Sequence, residues 1–376
     1  MIGCFRLAKL SELNLADPFF DSLKADYPNF PIWFQSKANA GRTALVYLDE
    51  IGIGAFVCLK EESEEIVLRD RVLPSVARMK ISTFKLAERY HGQRIGEGAL
   101  GLALWKWQQT GRAEIYVTVY NKHTTLIGLL ERFGFILSGY NASGECVYLK
   151  SRFDVDYSSA FQAFPYINPS FQYAGYLVVN DHYHDTLFPY SELSNTVQNQ
   201  LAASAANGLT KVYIGTPQQV PPYRIGDPIL IYRKHTQPDG QKPAYKSCVT
   251  SYCVVTDICV VKENNKPTMS LQQFAARVSN KSVFTPESIR ELYGKNRNLV
   301  VIEMLYYGFF GAGNNVNWMW LKQHGFWPDG YPTSARLTQE QFKAILKEAS
   351  VNVQDVIIDP SAACGEDHRR NEAVRI

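Results

Sequence analysis

The sequence predicts an α+β protein of two domains, on three observations. In the first part strand and helix patterns alternate, and a glycine-rich turn separates a strand expected over 79–86 from an apolar, helix-period stretch over 99–109. Beyond residue 170 the text changes to short β-branched or aromatic runs with few helices, the pattern of a small barrel. Between the two, Tyr, Ser, Phe, Pro and Asn follow one another with neither period, which sets domains at 1–152 and 170–376 around a linker at 153–169.

Taken in order, the first domain opens with a strand over 2–7 and short helices over 11–24 and 32–37, broken by Pro28 and Pro31. A hairpin pairs 43–48 with 54–59, and Glu61, Glu62, Glu64 and Glu65 read as a solvated acidic face. The stretch 113–120 alternates as a strand with two distinct faces should, 124–132 is a short helix with Gly134 as its C-terminal cap, and 135–140 pairs with 145–150. In the second domain strands are expected over 176–179, 211–214, 228–232, 249–261 and 299–307. Helices are expected over 194–206 and 286–293, the latter capped by Thr285, and a further helix start carries the capping-box pattern at Thr338–Gln341.

Composition bounds the function. With 46% hydrophobic and 20% charged residues the chain is ordinary globular material, and a net charge of only +3 argues against a surface given over entirely to nucleic acid. Seven scattered cysteines without paired C-x-x-C spacing read as reduced thiols rather than zinc ligands, so no metal is expected. There is no run of about 18 apolar residues and no basic-then-apolar leader, so a cytoplasmic protein without membrane attachment is expected; the oligomeric state is left open.

The turn Tyr90-His91-Gly92-Gln93-Arg94-Ile95-Gly96-Glu97-Gly98 is where an anion belongs, since glycines let backbone approach a ligand and the first N–H groups of the following helix face it. Together with Phe84-Lys85-Leu86 before it, Asn121 after the next strand, and Glu131-Arg132-Phe133-Gly134-Phe135, it resembles the acyl-CoA-binding half of GNAT-type N-acetyltransferases over about the first 150 residues. The resemblance implies a mixed sheet with flanking helices and acetyl-CoA as co-substrate. It also implies a CoA site at Phe84, Leu86, His91, Gly92, Gln93, Arg94, Ile95, Gly96, Glu97, Gly98 and Asn121, with the pyrophosphate on the loop. On that reading Gly96→Glu would put a carboxylate in the pyrophosphate's place.

Two departures accompany the resemblance. In the register set by Tyr90, Gly92, Ile95 and Gly96, the family's first signature glycine falls on Arg94 and its leading Gln/Arg on His91; a second register, Gln93-x-x-Gly96-x-Gly98, fits the written pattern but shifts the neighbouring landmarks. An arginine near a pyrophosphate would be favourable. Leu130 stands where many members carry a tyrosine that protonates the leaving thiolate. Glu88 is the candidate base, Tyr120, His123 and Tyr140 are the candidate acids, and water is the alternative donor.

In the second domain Arg224-Ile225-Gly226-Asp227-Pro228-Ile229-Leu230-Ile231-Tyr232, followed by Val249–Val255, resembles the barrel core of PUA-like domains, which include ASCH and EVE modules and often bind RNA or a modified base. Candidate nucleic-acid or substrate contacts are His182 and His184, expected on one face of an extended segment, with Arg224, Tyr232, Arg233 and Lys234. The reading is an acetyl-CoA-dependent N-acetyltransferase directed to tRNA, another RNA, or a protein amine. The alternatives are a catalytically inactive nucleic-acid-binding protein and a nuclease or amidohydrolase second domain with an acyl-CoA-sensing first domain.

Overall fold

The computed structural model describes residues 4–191, 193, 204–217, 222–237, 240 and 242–358. The chain divides into two compact units, Met1–Asp154 and Val155–Ile376.

In unit 1 the elements run β1 (Cys4–Lys9), α1 (Asp21–Asp26), α2 (Phe30–Asn39), β2 (Thr43–Leu48), β3 (Ile53–Glu62), a two-strand ribbon β4 (Ile66–Val67) and β5 (Val72–Leu73), β6 (Arg78–Leu86), α3 (Ile95–Thr110), β7 (Glu114–Val119), α4 (Thr124–Arg132), β8 (Ile136–Tyr140) and β9 (Cys146–Ser151). Seven strands form one mixed sheet in the order β1-β2-β3-β6-β7-β9-β8. Only β6 and β7 pair in parallel, as a strand-helix-strand crossover requires.

That crossover pair is short. Cys58 of β3 opposes Thr83 but Leu59 opposes Ile81, so Ser82 is an extra residue on β6, a β-bulge whose hydroxyl donates to the Cys58 carbonyl at 3.0 Å. A bulge bends its strand and breaks the ladder beside it. The β6–β7 ladder accordingly ends at Ile81 and Val117, although β6 continues to Leu86 and β7 to Val119.

One sheet face is covered by α1 and α2 over a cluster containing Phe20, Phe30, Phe34 and Phe56. Against the other lies α3, whose Ile95, Ala99, Leu100, Ala103, Leu104 and Trp107 are fully buried. Helix α4 stops as the sequence suggests: Gly134 takes φ +77°, its N–H donates to the Glu131 carbonyl, and the Phe135 N–H donates to that of Leu130. The helix expected over 11–24 is instead two 3₁₀ turns and α1, because Asp17 accepts from the Phe19 N–H and caps a new turn at Pro18. Nor is the acidic run wholly solvated: the Glu62 carboxylate is buried, bound by Lys60 at 2.7 Å and by the Tyr116 hydroxyl.

Unit 2 comprises α5 (Ala160–Ala163), β10 (Gly175–Asn180), α6 (Asp181–Leu187), β11 (Thr210–Gly215), β12 (Pro228–Lys234), α7 (Pro243–Lys246), β13 (Cys248–Glu263), β14 (Lys266–Pro267), α8 (Leu271–Val278), α9 (Pro286–Lys295), β15 (Leu299–Phe309), β16 (Val316–Asn317), α10 (Trp318–Gln323), α11 (Gln339–Glu348) and α12 (Val353–Val356). The order β10-β12-β13-β15-β11 makes a half-barrel, bent where the long β13 shifts register against β15 at three places. The stretch 153–169, read from sequence as a linker, contains α5, and its Phe164, Tyr166 and Ile167 are fully buried. Phe164 and Tyr166 thus belong to a core, whereas Phe153 at the start of the stretch is exposed. Of the helix expected over 194–206, a 3₁₀ turn at Ser204–Ala206 is described and 194–203 lies outside the described residues.

In unit 1, Gly54 has no room for a methyl: an added Cβ would clash with the Tyr90 ring and lie 2.8 Å from Tyr47 Cδ1. Gly54→Ala is expected to destabilise unit 1 by about 1–3 kcal/mol, read as a lower urea midpoint at unchanged slope.

Candidate active site

The site grows out of the broken ladder. Past Ser82, alternate residues of β6 face opposite ways: Thr83 and Lys85 sit opposite Cys58 and Phe56 on the α1 face, Phe84 and Leu86 opposite Val57 and Ala55 on the α3 face. No strand pairs with the β7-facing edge of residues 82–86 among the described residues. Backbone donors and acceptors left on such an edge can bind an extended ligand.

The glycine loop closes one end of this opening. His91, Gly92 and Gln93 are exposed, Gly92 takes φ +76°, and Arg94 is the N-cap of α3 at φ +62°. A non-glycine residue there is strained by roughly 1 kcal/mol. Arg94 is held by an ion pair to the buried Glu97 at 2.9 Å, with Arg132 on the same carboxylate at 3.8 Å. Its guanidinium therefore turns back on α3. Ile95, Glu97 and Gly98 are buried, so their side-chain positions serve packing, and what the helix start can offer a ligand is backbone N–H. Gly96 packs on β6: an added Cβ would lie 2.8 Å from Leu86 Cδ1, so Gly96→Glu would disturb packing as well as charge.

At the other end, α1 bridges the opening. Lys85 of β6 donates to Ser22, while Lys122 and His123 beyond β7 meet Asp26 at 2.5 and 3.5 Å. Tyr27, next in the chain, stacks on Tyr120 with ring centroids 5.6 Å apart and donates to Glu145 Oε1 at 2.9 Å. Asn141 donates its amide to the other Glu145 oxygen at 2.8 Å, and its own Oδ1 accepts from the Glu145 N–H at 2.9 Å. Burial, then the Glu145 hydrogen bond, pushes the Tyr27 hydroxyl well above its usual range, so it stays protonated at neutral pH. Burial pushes the Lys85 ammonium down.

Of the proposed catalytic residues, Tyr120 and His123 thus join one cluster around Asp26 and Tyr27, Tyr140 lies half-exposed at the end of β8, and Glu88 is exposed on the turn after β6. Asn121 accepts from the Cys146 thiol at 2.7 Å. Sequence reading missed Tyr27 and Glu145; Asn141-x-x-Gly144, a turn ahead of a strand, marked only the hairpin that carries the carboxylate. Leu130 is fully buried and brings no proton donor.

No family model matches the chain, and no curated protein matches it. Solved structures similar to it include PaiA N-acetyltransferase from Thermoplasma acidophilum in complex with coenzyme A, at 13% identity over 39% of this chain and 99% of that one, TM-score 0.28. Others are the NatC complex bound to Gag peptide and CoA, at 15% identity over 40% and 96%, TM-score 0.28, and a ZmASCH mutant protein from Zymomonas mobilis, at 10% over 47% and 96%, TM-score 0.31.

In unit 2 the expected contact residues part company. His182 and His184 are not on an extended segment: Asp181 opens α6, so residues two apart point differently, His182 outward and His184 fully inward. His184 Nδ1 lies 2.8 Å from Asp185 and Nε2 2.7 Å from the Thr250 hydroxyl; Asp185 in turn receives both Nε and Nη2 of Arg233, at 2.8 and 2.9 Å. Arg233 is therefore a buried structural cation and not part of a basic surface, and Tyr232 is buried against Trp327. Lys234 and Arg224 are exposed. Among the described residues no group of three or more His, Cys, Asp and Glu is placed to hold a metal ion, and no helix is long and apolar enough to cross a membrane.

Burial holds the His184 imidazole below its ordinary range, against the pull of Asp185, and Asp185, despite burial, is held low by Arg233 and His184. The folded state thus resists protonating His184 where the unfolded chain does not. The stability is present above the free-histidine pKa of about 6.5 and is lost as pH falls below it. The melting temperature is expected to drop between pH 7 and pH 5, and His184→Asn, less stable at pH 7, is expected to show a shallower drop in the same scan.

Proposed function

We propose that unit 1 is an acetyl-CoA-dependent N-acetyltransferase domain that acts on a cationic amine. The observation that carries this is the parting of two parallel strands at Ile81 and Val117, with the start of α3 at one end of the opening and the Tyr27–Glu145 pair at the other. The open β6 edge suits an extended amide-bearing arm, and the N–H groups at Ile95 and Gly96 suit its pyrophosphate. Gln93 is exposed beside them, its amide donating to the Arg89 carbonyl at 3.0 Å.

In the reaction the amine lone pair attacks the thioester carbonyl, the C–S bond breaks, and the ammonium proton must leave. Tyr27 is the partly exposed group and Glu145 the buried carboxylate behind it, so the hydroxyl accepts a proton as it passes its own to Glu145. With Leu130 in place of a hydroxyl, the thiolate takes its proton from water. Asp26 is taken by Lys122 and His123, so the Glu145 carboxylate is what favours a cationic acceptor, whether on an aminoacyl-tRNA, an RNA-associated protein or another amine carrier, and the second domain recruits it from a cytoplasmic pool.

Two measurements test the reading. Gln93→Glu is expected to weaken acetyl-CoA binding by about tenfold in calorimetric titration, with an unchanged melting curve; equal binding would remove the loop from the site. Tyr27→Phe and Glu145→Gln are expected to lower kcat for thiol release by about 10²-fold with KM for acetyl-CoA unchanged. If thiol release never exceeds background with any amine while acetyl-CoA still binds, unit 1 is a sensor and not an enzyme, as the buried Leu130 would also allow.

A further inference from the structure

Away from the acyl-transfer cleft, unit 2 contains a cavity of about 190 Å³ between the segment 168–175, the turn Tyr223–Asp227 that leads into β12, and Ala335–Arg336. It lies at the starts of the parallel strands β10 and β12, whereas the His184–Arg233 network lies at their far ends. Its volume is below that of a typical drug-sized site, so it encloses one head group, and the rest of a ligand would lie at its mouth against the exposed Tyr173.

Two cations line it from different parts of the chain. Arg224 is exposed, and its guanidinium makes no hydrogen bond or ion pair among the described residues; only its backbone N–H is used, donating to Asp227 at 2.8 Å. Arg336 is also exposed; it lies over the Tyr173 ring, 5.6 Å away, and within electrostatic reach of Asp227. Asp227 is the sole acidic side chain of the lining, which therefore carries a net charge of +1 from two arginines and one aspartate. Asp227 attracts both guanidinium groups, which leaves one positive charge of the lining unbalanced and available to an outside anion.

The wall is also aromatic. Tyr173 is 44% exposed and Phe171 and Tyr223 are buried beside it. Tyr223 is fixed by its hydroxyl, which donates to the Tyr176 carbonyl at 2.5 Å, and by Gly175, where an added Cβ would lie 2.6 Å from the ring. An arginine already lying over an exposed tyrosine makes a stacking platform for a planar ring.

We propose that this cavity binds a phosphate monoester attached to a planar heterocycle, a nucleoside monophosphate, either free or as the phosphorylated end of a nucleic acid chain. Arg224 and Arg336 take the phosphate oxygens and Tyr173 takes the ring. The site does not depend on acyl transfer in unit 1.

The test is calorimetric titration of the full chain, saturated with CoA so that the first unit cannot report, using AMP, CMP, adenosine and inorganic phosphate, then a short oligonucleotide with and without a 5′-phosphate. Mononucleotide is expected to bind more tightly than nucleoside or phosphate alone. Arg224→Ala and Arg336→Ala are each expected to weaken it by about tenfold at an unchanged melting temperature. Tyr173→Ala is expected to cost affinity for AMP but not for phosphate. Preference for the phosphorylated oligonucleotide over AMP assigns the site to chain ends, and the reverse to free nucleotide. No mononucleotide binding at millimolar concentration, or binding that both arginine variants retain, overturns the proposal.

Discussion

Much of unit 1 depends on the hydrogen bond from Ser82 to the Cys58 carbonyl, because it fixes the one extra residue that turns β6 out of its ladder. A regular strand would have carried the parallel pairing on to the end of β7, with Val119 opposite Thr83, and narrowed the opening. The bulge instead leaves β6 paired to β3 on one side, so the strand is rigid, while its other edge is bare. Everything placed around the opening then has a fixed support: α3 packs Gly96 against Leu86, and α1 is tied down at Lys85, Lys122 and Glu145.

The two units handle buried charge in different ways. In unit 1, Glu97 is buried at a loop that has to hold a strained arginine, so the ion pair steadies backbone geometry. In unit 2 the chain His184, Asp185 and Arg233 lies wholly inside, and Asp181 adds bonds from the Thr236 hydroxyl and N–H. Such a network contributes less through net stability than through the cost of breaking it, since removal of one member leaves another charge buried and uncompensated. It joins α6 to β12 and to the strand after it, the part of the half-barrel where the sheet turns from parallel to antiparallel pairing.

What could be read from sequence was what is local. The strands, α4 with its glycine stop, and the glycine turn into α3 were legible because period and capping act over a few residues. Ser82 gave no such sign, since a bulge is defined by the partner strand. Tyr27 and Glu145 lie 118 residues apart and meet only through the sheet order. His182 and His184 were misread because a strand-like run leads into Asp181, and nothing short of the fold says that the chain coils there. Arg233 looked like part of a basic tip next to Lys234, and only its distant partner Asp185 reveals it as an interior residue.

The bare edge of β6 has a second side. Unpaired N–H and C=O groups that invite a ligand would equally accept a strand from another molecule, which is how sheet proteins come to aggregate. The protein meets this hazard with the span of α1, whose ties at Ser22, Asp26 and Tyr27 stand over the gap. Those contacts therefore bear on resistance to edge-to-edge pairing as well as on shape.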